Sequence, residues 1–191
     1  SGSDNCFVAG VVSRIRSTRR LDIPLEAVFQ LHSAYPRLKL LLVGHGRAGA
    51  YEKVVEEPVQ RMGLSEAVSR AGYCRGDELV QAYRRMQVLL YPVAGTDKTC
   101  RTVREALASG VPVIASRQGF LPELIDDGKN GYLVEADSES FARALKKLLD
   151  SPEKQQRFSQ WALFQARKRF SLPNQAEKTL QFYQSLPSEK G

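Results

Sequence analysis

The chain has 191 residues, 42% hydrophobic and 26% charged, with 28 Lys and Arg against 21 Asp and Glu for a net charge of +7. This length suits one domain with a full core, or one domain and a tail, and no apolar run approaches the roughly 20 residues that a membrane span needs. The three cysteines, Cys6, Cys74 and Cys100, form no CxxC pair and meet no histidine cluster, so neither a disulfide framework nor a zinc site is indicated and a reducing cytosol fits best.

Residues 1–5 lack the basic and apolar regions of a signal peptide and read as an expression scar or linker. Apolar runs of strand length follow at Cys6–Val12, Leu38–Val43, Val88–Tyr91 and Val111–Ala115, with a weaker one at Ser69–Tyr73. Helix-period segments lie between them at Pro24–Ala34, Ala50–Met62, Asp77–Arg85 and Arg101–Ser109, with Asp77 an expected N-cap and Gly110 an expected C-cap. Strict alternation of strand and helix predicts an α/β fold, a Rossmann-like parallel sheet flanked by helices.

After the fifth strand the pattern changes to a short helix at Leu121–Ile125, the turn-rich Asp127–Gly131 and a short strand at Tyr132–Val134. Helical segments follow at Ser138–Leu149, Glu153–Phe170 and Gln175–Leu186, separated by Pro152 and Pro173. The expected division is one domain over residues 6–172 and a C-terminal helix and tail over 173–191. His32 and Trp161, the latter on a helix with Phe158, Phe164 and Phe170, read as packing residues.

Ligands of an open parallel sheet collect beyond the carboxyl ends of its strands, so the loops there carry the chemistry. The first loop holds Arg14, Arg16, Arg19 and Arg20, guanidinium forks suited to diphosphate oxygens. The second reads Gly44-His45-Gly46-Arg47-Ala48-Gly49, a letter match to the G-x-G-x-x-G dinucleotide fingerprint. It follows the second strand rather than the first, and the next strand ends without a carboxylate, so a tight turn lining a ligand pocket is the better reading. The third loop, Tyr91 to Cys100, opens into the helix at Arg101, whose N-terminal N–H groups suit phosphate. Glu105 lies one turn into that helix, within reach of sugar hydroxyls, or alternatively of Arg101 at i−4. The fourth, Ser116 to Glu123, bends through Gly119; Glu123 there is open to a capping or a functional role.

In order, the segments VVSRIRSTRRLD, LKLLLVGHG, AGYCRGDELVQAYRRMQVLLYPV, TDKTCRTVREALASGVPVIAS and GFLPELIDDGKNGYLV closely resemble the donor-binding C-terminal domain of retaining GT-B glycosyltransferases, the group-1 or glycogen-synthase-like class. The match runs from about Val8 to Leu186, and Arg104 to Val134 is its most specific stretch.

The resemblance implies half of a GT-B fold that binds a nucleotide-diphosphate sugar and, with an N-terminal acceptor domain absent from this sequence, transfers the sugar to a hydroxyl of a glycan, lipid-linked or small-molecule acceptor. It places Arg14 and Arg19 on the donor diphosphate, Arg19 standing where the family has Lys. It implies that Asp97 touches the transferred sugar and Glu105 the ribose, Asp97 being a methylene shorter than the family's Glu. The family's Gly-Phe-Gly is replaced here by Lys98-Thr99-Cys100, whose amides, with those of Arg101 and Thr102, are expected at the phosphates; Gly44 and Gly46 line the pocket. The base is expected between the second loop and Tyr73-Cys74-Arg75. The scheme requires no cofactor and no metal.

A non-catalytic regulatory or scaffold domain of the same fold is the alternative reading, which Asp97 and the missing Gly-Phe-Gly leave open. Nucleic acid is not an expected partner, because no aromatic platform accompanies the positive charge. A cytoplasmic location is expected, and basic helices leave room for peripheral contact at the inner membrane face.

Overall fold

The computed structural model describes residues 6–47, 49–96, 100–171 and 181. Six strands, β1 (Phe7–Val12), β2 (Leu38–Val43), β3 (Val68–Gly72), β4 (Val88–Tyr91), β5 (Val113–Ser116) and β6 (Gly131–Val134), pair in parallel in the order β3-β2-β1-β4-β5-β6. This is the doubly wound Rossmann order, and it reverses direction between β1 and β4.

The near-continuous apolar strands follow from helices on both faces. Successive side chains of a strand point to opposite sides, so Leu40, Leu42, Val88, Leu90 and Ile114 enter one core cluster, with α1 (Asp22–His32) and α6 (Ser138–Leu149). Leu41, Val43, Leu89, Tyr91, Val113 and Ala115 enter the other, with α3 (Gly76–Arg84), α4 (Arg101–Ala108) and α7 (Pro152–Phe170). Each fully buried leucine contributes about 2 kcal/mol, and the polar exceptions are accommodated: Lys39 reaches out to the Glu66 carbonyl and the buried Ser116 donates to that of Val93. The edge strand β3 is mostly exposed, the physical basis of its weak sequence signal.

Several local expectations are corrected. The expected helix Ala50–Met62 is present, but it widens to a π-type segment, Glu52–Glu56, before continuing as α2 (Glu57–Arg61). Pro58 has no N–H and its ring crowds the carbonyl of Val54, so the chain widens ahead of it. Asp77 is not the cap of α3: Arg75 takes that position in extended backbone, and Asp77 sits in the first turn, where its charge suits the helix dipole. The fifth strand starts at Val113 rather than Val111, after Pro112, which has no ladder donor to offer. The loop after β5 forms α5 (Leu121–Leu124), and Gly110, at φ +74°, ends α4 one residue beyond its cap Ser109.

α7 is tied down at the far end of the sheet. Trp161 Nε1 and Arg169 Nη2 both donate to Asp126, each at 3.1 Å, and Arg169 Nη1 donates to the Glu123 carbonyl at 3.2 Å. Phe158 is buried as expected of a packing residue, whereas Phe164 is more than half exposed against the Trp161 ring. The expected helix Gln175–Leu186 lies outside the described residues but for Gln181.

Candidate functional site

A cavity of about 640 Å³ opens at the carboxyl ends of β1 to β4, over the point where the strand order reverses. Its lining includes Arg14, Arg16, Arg19, Gly44, Tyr73, Arg101, Thr102 and Glu105, which brings three of the four informative loops together.

The loop after β1 is held by its single apolar residue. Ile15 is buried, and its N–H donates to the His45 carbonyl at 2.9 Å, so the flanking Arg14 and Arg16 are left on the exposed side. A 3₁₀ turn at Ser17–Arg19 then ends in Arg20, in left-handed backbone at φ 49° and anchored by a bidentate pair with Asp22. Left-handed geometry costs a non-glycine residue about 1 kcal/mol, and the Asp22 pair offsets part of this. Among the described residues the side chains of Arg14, Arg16 and Arg19 make no ion pair, and the buried Arg19 Nε has no hydrogen-bond partner. Arg14, Arg16 and Arg19 thus bring guanidinium charge to the cavity lining that no carboxylate among the described residues neutralises.

The Gly-x-Gly of the second loop has a different task from the one its letters suggest. A Cβ on Gly44, at φ +139°, would lie 1.8 Å from the Ser13 carbonyl oxygen, and one on Gly46 would lie 2.6 Å from that of Ile15. The glycines let this loop cross directly against the Arg14 loop, and Ser13 N–H to Val43 O at 3.0 Å locks the crossing. Gly44 borders the cavity, whereas Gly46 is not on its lining.

The third loop is pinned to the fourth in the same way. Gly119, at φ +61°, packs on Gly95 so closely that a Cβ would meet its carbonyl oxygen at 2.2 Å, and Phe120 N–H donates to that oxygen at 2.9 Å. Cys100 is corrected by this geometry: its side chain is fully buried beneath Gly95 and its N–H already donates to the Thr96 carbonyl at 2.9 Å, so it presents neither group to a ligand. The next residues, Arg101 and Thr102, do border the cavity. Asp97, Lys98 and Thr99 lie outside the described residues.

The i−4 pair expected of Glu105 is present, on a residue that also lines the cavity. Its carboxylate borders the cavity, 31% exposed, and it also pairs with the Nε of Arg101 at 3.2 Å; Arg101 is 79% exposed. A further partner had no sequence signal: the hydroxyl of Tyr83, from α3, donates to Glu105 Oε2 at 2.9 Å. Burial, then the charge of Glu105, push the Tyr83 phenol well above its ordinary range, so it stays a donor. At the cavity mouth His45 meets Tyr73 edge to face at 4.8 Å, and Arg75 lies 4.7 Å over the same ring. Glu123 is exposed and offers only its carbonyl, to Arg169. Among the described residues no three His, Cys, Asp or Glu side chains converge as metal ligands would.

A doubly wound sheet with an arginine-lined cavity at its switch point, bordered by one carboxylate, defines an α/β domain of the Rossmann-like class. The chain belongs to the family of glycosyl transferases group 1, whose model matches residues 3–163. It is 31% identical over 186 residues to the D-inositol 3-phosphate glycosyltransferase of Corynebacterium urealyticum, covering 95% of this chain and 43% of that protein. The Anabaena protein HepE, solved in complex with UDP-glucose, superposes with a TM-score of 0.81 at 25% identity, over 95% of this chain and half of that one. The C-terminal domain of a Francisella tularensis group 1 family protein superposes with a TM-score of 0.77 at 25% identity, over 87% of each chain. The chain thus spans less than half the length of the curated relatives it matches.

Proposed function

We propose that this chain is the donor-binding half of a retaining glycosyltransferase, holding a nucleotide-diphosphate sugar whose sugar passes to a hydroxyl acceptor bound by a second domain. The observation that carries this reading is the cavity at the switch point, where Arg14, Arg19 and Glu105 share one lining and neither arginine has an ion-pair partner among the described residues. The UDP-glucose bound by HepE, on the same fold, supports it.

In this scheme the bond from the sugar's anomeric carbon to the diphosphate breaks, and its electron pair leaves with the phosphate oxygen. The new bond forms from the acceptor hydroxyl on the same face, and its proton passes to the departing diphosphate. Negative charge grows on the diphosphate as this happens, so Arg14 and Arg19 act by stabilising the leaving group, with the first N–H groups of α4. Glu105 accepts hydrogen bonds from the ribose, and the base rests against the Tyr73 side of the cavity. Asp97 takes the sugar contact.

Calorimetric titration of the chain with UDP, GDP, ADP and NAD tests the reading. One nucleoside diphosphate is expected to bind, NAD is not, and Glu105→Ala weakens the complex. Binding of NAD alone would overturn the proposal, and a chain and full-length parent that bind none of the four would favour the scaffold alternative.

A further inference from the structure

Tyr83 is among the largest fully buried side chains, 2% exposed, yet it is not merely packing. Its hydroxyl leaves the core of α3 and reaches Glu105 Oε2 at 2.9 Å and the Thr102 carbonyl at 3.2 Å, both on α4. A phenol has one proton, and the shorter contact to the charged acceptor takes most of it. Glu105 is therefore held from below by a buried neutral donor and from above by the exposed Arg101.

These two partners act in opposite directions. An exposed arginine at i−4 draws a glutamate toward solvent along the helix surface, and such a pair is worth little and screened by salt. A glutamate left to it would sample several rotamers, and fixing them on ligand binding would cost affinity. A donor fixed in the core removes that freedom beforehand.

Resting on the nucleotide-sugar reading above, we propose that Tyr83 is a positioning residue, whose hydroxyl fixes the Glu105 carboxylate in the orientation that accepts the ribose hydroxyls. A phenol suits this task because it has no charge to compete with Glu105 for the ligand. Its place on α3 also ties that helix to α4.

The test is calorimetry on the intact chain and on Tyr83→Phe, Glu105→Gln and the double variant, with three probes: the tightest of UDP, GDP and ADP, its 2′,3′-dideoxy counterpart, and inorganic pyrophosphate. Tyr83→Phe is expected to weaken the nucleoside diphosphate about tenfold. It is expected to leave the dideoxy compound and pyrophosphate within about twofold, because neither has the hydroxyls that Glu105 would receive, and to add nothing on the Glu105→Gln background. Equal losses for all three probes would mark a purely structural role and overturn the inference, as would no loss for any, or a loss that persists beside Glu105→Gln. Tyr83→Leu is the second variant, judged by the same ratio between probes, should Tyr83→Phe not fold. Unchanged binding in Tyr83→Phe beside a wild-type chain that binds overturns this inference alone, whereas a wild-type chain that binds none of the diphosphates overturns the nucleotide reading and this inference with it.

Discussion

Along the loop after β1, Arg14, Arg16 and Arg19 border a cavity and form no ion pair among the described residues, whereas beyond β5 the cations Arg117, Arg143, Lys146 and Arg169 each meet a carboxylate. The same residue types border a cavity without ion pairs in one region and hold the structure together in the other. At the β6 edge the construction is explicit. Asp127 accepts from the Leu133 N–H at 3.0 Å, Arg117 donates to the Leu133 carbonyl at 2.7 Å, and the two side chains pair at 3.0 Å. Together they cover backbone groups that an exposed edge would offer to another strand. A net charge of +7 therefore says little about partners until each cation is sorted by whether the protein has already used it.

Four substitutions or conditions would break or sharpen this contrast. Gly44→Ala is expected to have the largest effect, about 3 kcal/mol or more of stability, since its methyl would fall inside the Ser13 carbonyl and its backbone is left-handed. Urea unfolding checks it, and a loss under 1 kcal/mol would mean the two loops separate easily. Arg19→Ala comes next, with a loss of about 2 kcal/mol in nucleoside diphosphate affinity, and the remaining binding should depend less on salt. Parallel titrations at two ionic strengths measure both.

The third concerns pH. The unfolded Tyr83 phenol ionises near its ordinary value of 10.0, while the folded one, raised by burial and by Glu105, stays protonated. The folded state thus binds more protons above pH 10, and this contribution to stability is complete below that point and falls as pH rises through it, by about 1.4 kcal/mol per pH unit at most. The difference between wild type and Tyr83→Phe, from denaturant melts between pH 8 and 11, should show that slope; a flat difference would show that Tyr83 ionises freely. Arg117→Ala, last, is expected to cost about 1 kcal/mol or less of stability and to leave nucleotide affinity unchanged. A change in that affinity would erase the distinction between the two regions.

Much of the fold was legible because its signals are local. β2, β4 and α6 fall at the expected residues, since a strand covered on both faces is apolar almost throughout and an amphipathic helix repeats every 3.6 residues. The arginines after β1 and the carboxylate in α4 were legible as loop chemistry, once the sheet was known to gather loops at one edge. The Cys100 amide was not legible as occupied, because a residue's place in a loop does not tell which carbonyl its N–H will meet, and here it meets that of Thr96.

By itself, then, the sequence determined the alternation of strands and helices, the parallel sheet and the set of loops that could hold an anion, all through spacing and turn chemistry acting over a few residues. Only the tertiary structure decided which glycines stand at backbone crossings, which arginines make no ion pair among the described residues, and that a core tyrosine reaches Glu105. Each of those depends on two segments distant in the chain meeting within a few ångströms, and no local pattern encodes where a second segment will arrive.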